Sequence, residues 1–106
     1  MPAARVTDAE GEILEALWRL GPLTPHRLFA EVQARRPWGQ ATIKTLLGRL
    51  MQKGAVRSFR EEGLLRYRPL IDREAYLAVE VRALADRLFA GDLSALAAFT
   101  QELETS

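Results

Sequence analysis

Between Gly39 and Gly54, Ile43, Leu46, Leu47 and Leu50 recur at i, i+3, i+4 and i+7. That spacing predicts a helix with one buried stripe. At about 100° per residue the opposite face is centred on Ala41, Thr45, Gly48 and Gln52, with Thr42, Lys44 and Arg49 beside them. This face has short side chains, polar tips and positive charge, and it carries no carboxylate. Such a surface suits close approach to an anionic partner, and nucleic acid is the first candidate.

The punctuation around this segment predicts its neighbours. Thr7-Asp-Ala-Glu10 is a capping box, so a helix starts there. Its apolar face is Ala9, Ile13, Leu14, Leu17 and Leu20, and Gly21-Pro22 stops it. Thr24-Pro25 supplies an N-cap and an N1 proline for a second helix, with Leu28, Phe29 and Val32 inward and Arg35-Arg36-Pro37 ending it. The third helix opens near Gly39 or Gln40 and closes at Gly54. After it, 55–60 and 65–69 alternate in character around Glu61-Glu62-Gly63, which reads as a two-stranded hairpin anchored by Phe59 and Tyr67. Helix, helix, helix, hairpin is the element order of a winged helix-turn-helix. The expected fold class is mostly α with a small β-hairpin: a winged helix-turn-helix DNA-binding domain over 1–71 and a helical dimerisation region over 72–106.

Composition sets outer limits. A chain of 106 residues fits one small core, with room for an attached oligomerisation segment. No apolar run approaches the ~20 residues needed to span a bilayer. The first residues lead into acidic amphipathic sequence, not an apolar signal core, so a soluble, cytoplasmic protein without membrane association is expected. With no cysteine and one histidine, disulfides, thiol chemistry and a metal site are not expected, nor is a cofactor. There is no nucleophile paired with a base and no phosphate loop, so an enzyme is not expected.

The net charge of +1 conceals an asymmetry: 1–71 carry +5 and 72–106 carry −4. Within 35–68, Arg35, Arg36, Lys44, Arg49, Lys53, Arg57, Arg60, Arg66 and Arg68 face only Glu61 and Glu62, an excess of +7. A phosphate-binding surface has this footprint, and so does a solvated basic face.

In a winged helix the third helix enters the major groove with its N-terminal residues at the base edges. Gln40, Ala41, Thr42, Lys44 and Thr45 are therefore the candidate base contacts: Lys can donate to guanine, Gln can pair with adenine, and Ala or Thr methyls can meet the thymine methyl. Arg49, the ribbon residues Arg57, Arg60, Arg66 and Arg68, and His26 at a helix N-terminus are candidates for the backbone or the adjacent minor groove. His26 could equally be solvated without a role. Trp18 and Trp38 are read as packing residues, and Glu61-Glu62 as a solvated turn. Gly48 marks either close approach of DNA or a tolerated weak position.

The tail reads as two helices. Asp72 caps the first, in which Leu77, Val81, Leu84 and Leu88 recur at i, i+4, i+7 and i+11, widened by Tyr76, Val79 and Ala83. Gly91-Asp92 interrupts, and a second helix runs from Leu93 or Ser94 through Leu103 with Leu96, Phe99 and Leu103 on one side. This apolar surface needs a partner. A two-fold homodimer covers it most simply; folding back on its own core is the alternative.

Thr7-Asp-Ala-Glu, Leu17-Trp18 with Gly21-Pro22-Leu23-Thr24, Thr42-Ile-Lys-Thr-Leu-Leu-Gly-Arg-Leu50, Lys53-Gly54 and Tyr67-Arg-Pro-Leu70 together resemble the penicillinase repressor family of BlaI/MecI type. The likeness extends to Asp72-Arg-Glu-Ala-Tyr76 and Leu88-Phe-Ala-Gly91-Asp-Leu-Ser-Ala-Leu96. It implies a repressor that binds a palindromic double-stranded DNA operator as a homodimer joined by its C-terminal helices. It also implies a possible regulatory protease acting on the C-terminal region. Family members are cut between an asparagine and a phenylalanine, where this chain has Ala98-Phe99. The copper-responsive relatives' cysteine motif is absent, and Gly39 stands where relatives often have a serine N-cap. A winged-helix module for protein or RNA contact, without sequence-specific DNA binding, is the competing reading.

Overall fold

The computed structural model describes residues 5–106. Residues 1–4, where the leader reading begins, lie outside the described residues. The chain divides after Ile71 into two compact units.

In the first unit α1 spans Asp8–Leu20, α2 Pro25–Gln33 and α3 Gln40–Gln52; β1 spans Val56–Glu61 and β2 Leu64–Pro69. Thr7 closes the capping box at α1: its hydroxyl accepts the Glu10 N–H at 3.2 Å, and the Glu10 carboxylate accepts the Thr7 N–H at 2.9 Å. Thr24 caps α2 ahead of Pro25, whose missing N–H would have been unpaired in the first turn anyway. The far end of α3 closes as a Schellman motif. Ala55 N–H donates to Leu50 O and Gly54 N–H to Met51 O, with Gly54 at φ +75°, a conformation that favours glycine.

The apolar stripes of the three helices meet in one core. Ile13, Leu14 and Leu17 of α1, Leu28, Phe29 and Val32 of α2, and Ile43, Leu46, Leu47 and Leu50 of α3 are buried together with Leu23, Ala55 and Val56. Trp18 and Trp38 pack against this core, and Trp18 Nε1–H donates to Ile71 O at 3.0 Å.

The hairpin differs from the sequence reading. Glu61 pairs with Leu64 inside the ladder, leaving a two-residue turn, Glu62-Gly63, with φ of +53° and +80°. Two successive positive φ values match the twist of the flanking strands, so the turn can be this tight. Leu23 and Tyr67 exchange backbone hydrogen bonds of 3.2 and 2.8 Å, forming a bridge that ties the start of α2 to the ribbon. A single-residue bridge has no period, so no sequence pattern announces it. Three helices and a hairpin in this order make a winged helix.

In the second unit α4 spans Arg73–Leu88, capped by Asp72, and α5 spans Leu93–Thr105, capped by Asp92. α5 runs two residues past the expected end. Phe89 and Phe99 bring their rings to 5.9 Å, and Ala85 is buried. Tyr76, Leu84 and Leu96 are half-buried, whereas Leu77, Val81, Leu88, Phe99 and Leu103 are exposed. Among the described residues, no helix is long and apolar enough to cross a membrane.

Candidate nucleic-acid interface

The alternation of buried and exposed positions along α3 builds the site. Ile43, Leu46, Leu47 and Leu50 hold the helix to the core, and Gln40, Ala41, Thr42, Lys44, Thr45, Gly48 and Arg49 are all exposed. The N-cap, Gly39, offers no side-chain hydrogen bond, so the first-turn amides of α3 have no capping side chain. Unpaired N–H groups and the helix dipole both favour an anion at this end.

Two side chains on this face have partners within the chain. Thr45 Oγ1–H donates to Ala41 O at 3.0 Å, so the hydroxyl proton is engaged and the methyl and remaining lone pair are left for an outside group. Lys44 Nζ stands 6.0 Å from the centre of the Phe29 ring, close enough for a weak cation–π attraction toward α2. Beneath it an open groove of about 410 Å³ is lined by Pro25, Phe29, Lys44, Leu47, Gly48, Met51 and Tyr67. A Cβ on Gly48 would meet nothing within 4 Å, so packing inside the chain does not demand glycine there. His26 is exposed in the first turn of α2.

The ribbon separates the wing candidates. Pairing of Ser58 with Tyr67 and Phe59 with Arg66, together with the two-residue period of a strand, places Arg57, Phe59, Arg66 and Arg68 on one face. Ser58, Arg60, Leu65 and Tyr67 share the other. Only Tyr67 of the two expected aromatic anchors packs on the core; Phe59 lies on the opposite face, with the Arg68 guanidinium 5.6 Å from its ring centre. Arg57, Arg60 and Arg68 are exposed. Arg66 is half-buried, its Nε 3.9 Å from Glu61 and without a hydrogen bond, so of the four it is the least available to an outside phosphate.

The basic excess read over 35–68 is smaller at the surface than in the sequence, because two of its members serve the fold. Arg36 bridges Glu12 at 2.8 Å, and the hydrogen bond it donates to the Glu12 carboxylate raises the pKa of its guanidinium further. Lys53 Nζ bonds the Glu10 carboxylate at 2.5 Å and the Arg5 carbonyl at 2.9 Å. Glu10 is the only buried charged residue among those described. Burial pushes its carboxyl up, but the hydrogen bond from Lys53, the Thr7 N–H and the lysine charge together hold it below the usual value. No sequence spacing signals a pair 43 residues apart. The capping box did mark Glu10, but for its local role.

The penicillinase repressor family model matches residues 6–106. The chain belongs to the penicillinase repressor family. It is 28% identical to the penicillinase repressor of Bacillus licheniformis over 92 residues, covering 87% of this chain and 72% of that protein. With the methicillin resistance regulatory protein MecI of Mammaliicoccus sciuri it shares 22% over 91 residues, covering 86% and 74% of the two chains. Among solved structures, it resembles the solution structure of the DNA-binding domain of the repressor BlaI, with a TM-score of 0.60 and 30% identity over 67% of this chain and 87% of that one. It also resembles monomeric Bacillus licheniformis BlaI in complex with the blaP half-operator. There the TM-score is 0.62 and the identity 29%, over 68% and 88% of the two chains. The family is one of repressors, not of enzymes.

Proposed function

We propose that this member of the penicillinase repressor family is a DNA-binding transcriptional repressor that acts as a homodimer on a palindromic operator. The observation that carries the reading is the outer face of α3, exposed, free of carboxylates and without a side-chain cap at its N-terminus. Its support from outside the chain is the likeness to BlaI in complex with the blaP half-operator.

In this reading α3 lies in the major groove. Gln40, Thr42 and Lys44 meet hydrogen-bonding base edges, while Ala41 and the Thr45 methyl meet thymine methyls. Arg49, His26, Arg57, Arg60 and Arg68 hold phosphates or reach the minor groove, and Arg66 contributes less because of Glu61. The homodimer rests on α4 and α5, whose Leu77, Val81, Leu88, Phe99 and Leu103 are exposed in the single chain. A two-fold pairing would bury the same patch on both copies and set two copies of α3 on half-sites about 34 to 36 Å apart, or a multiple of that. Release by a regulatory protease gains no support from this chain, which has Ala98-Phe99 where family members are cut between an asparagine and a phenylalanine.

Selection from a random duplex pool with the purified chain tests this reading. The expected product is an inverted repeat whose footprint covers both half-sites. A pool that shows no enrichment, with tighter binding to RNA or to a protein partner, would favour the interaction-module reading instead.

A further inference from the structure

We infer that Lys53 is a positioning residue that docks the end of α3 onto the start of α1, and that it is not one of the phosphate contacts its place beside the wing suggests. The inference rests on the reading of α3 as the base-reading helix. Lys53 is the C-cap of α3, its own N–H bonding Arg49 O at 3.0 Å. Its ammonium reaches the start of α1, where Glu10 Oε1 and Arg5 O each accept one of its three protons. The Lys53 side chain is 19% exposed and that of Glu10 only 1%.

The same Glu10 oxygen accepts the Thr7 N–H, so one carboxylate links the first turn of α1 to the last turn of α3. Its second oxygen, Oε2, is buried and has no hydrogen-bond partner. A buried carboxylate in that condition depends on its one counter-charge, so Lys53 cannot turn outward to a phosphate without leaving Glu10 uncompensated. The other end of α3 has no capping side chain. The helix is thus fixed by its buried stripe and by this rear attachment, and together they set the angle at which Lys44 and Thr45 are presented.

Lys44 and Lys53 are the chain's two lysines, which permits a direct test on the unaltered protein. Pulse acetylation read by mass spectrometry should label Lys44 quickly and Lys53 slowly in the free chain. Adding the duplex recovered by selection should slow Lys44 and leave Lys53 unchanged. Labelling of Lys53 as fast as Lys44, or new protection of Lys53 by DNA, would overturn the inference. If the duplex fails to slow Lys44, the base-reading assignment suffers, while slow labelling of Lys53 still supports the docking.

The positioning role is read from variants. At a temperature where melting shows the protein folded, Lys53→Met should lower the preference for selected over random duplex by on the order of tenfold, with an unchanged salt slope. In a Glu10→Gln background, where no buried charge remains to be stranded, Lys53→Met should cost clearly less. Equal losses in both backgrounds, with a salt slope shallower by about one, would identify Lys53 as a phosphate contact instead.

Discussion

Two substitutions two residues apart on α3 should behave in opposite ways, because one faces the core and the other faces out. Ile43 is fully buried, and Ile43→Ala deletes three carbons from a packed site at a cost of about 2–5 kcal/mol. At ~0.05–0.15 kcal/mol per residue, a unit ending at Ile71 has about 4–11 kcal/mol of stability, so this one change removes a large share of it. With a urea dependence of about 1–3 kcal/mol per molar, the unfolding midpoint should fall by roughly 1 M or more. Thr45→Ala removes an exposed hydroxyl from the same helix and should move stability by no more than about 0.5 kcal/mol. Both tryptophans pack against the core of the first unit, so their fluorescence in a urea titration of the full chain reports the right transition. A loss from Ile43→Ala under about 1 kcal/mol, or an equal loss from Thr45→Ala, would refute the division of α3 into a holding face and a presenting face.

Other outcomes follow from the remaining contacts. Leu88→Glu places a charge on the exposed apolar side of α4 and should give monomers with weak operator affinity; sedimentation showing an unchanged dimer would remove α4 from the interface. The Glu10 carboxyl is held below its ordinary value of 4.5 in the folded chain, so its contribution to stability is present above about pH 4.5 and is lost as pH falls through the lower folded-state value. Glu10→Gln should therefore flatten the acid side of a plot of melting temperature against pH, and a limb as steep as that of the unaltered chain would count against the buried pair. Arg57→Ala should weaken selected and random duplexes alike and lower the salt slope by about one; a loss confined to the selected duplex would make Arg57 a base reader.

Much of the fold could be read directly because its signals are local. The capping box at Thr7, Pro25 at N1 and the Gly54 closure each act within one turn of chain, and the α3 stripe repeats at the helical period. The features that escaped the reading depend on residues distant in sequence or on register. Lys53 counts toward a basic surface until Glu10, 43 residues away, is brought beside it, and the same holds for Arg36 and Glu12. Phe59 looks like an inward anchor until pairing with Arg66 fixes which side of the ribbon it occupies. The Leu23 and Tyr67 bridge is a single contact between segments that have no shared pattern. Electrostatic footprints in a linear sequence are upper bounds, because the fold pairs some of the charges for its own stability.

The most direct test of α3 as the reading element is the binding of Lys44→Ala to selected and random duplexes, measured side by side with the unaltered chain at fixed salt. Loss of a base contact should reduce the preference for the selected duplex by about 5- to 150-fold, the equivalent of roughly 1–3 kcal/mol, with little change on random DNA. Equal weakening on both would show that Lys44 contributes charge alone, and would contradict a base-reading role for the α3 face at that position.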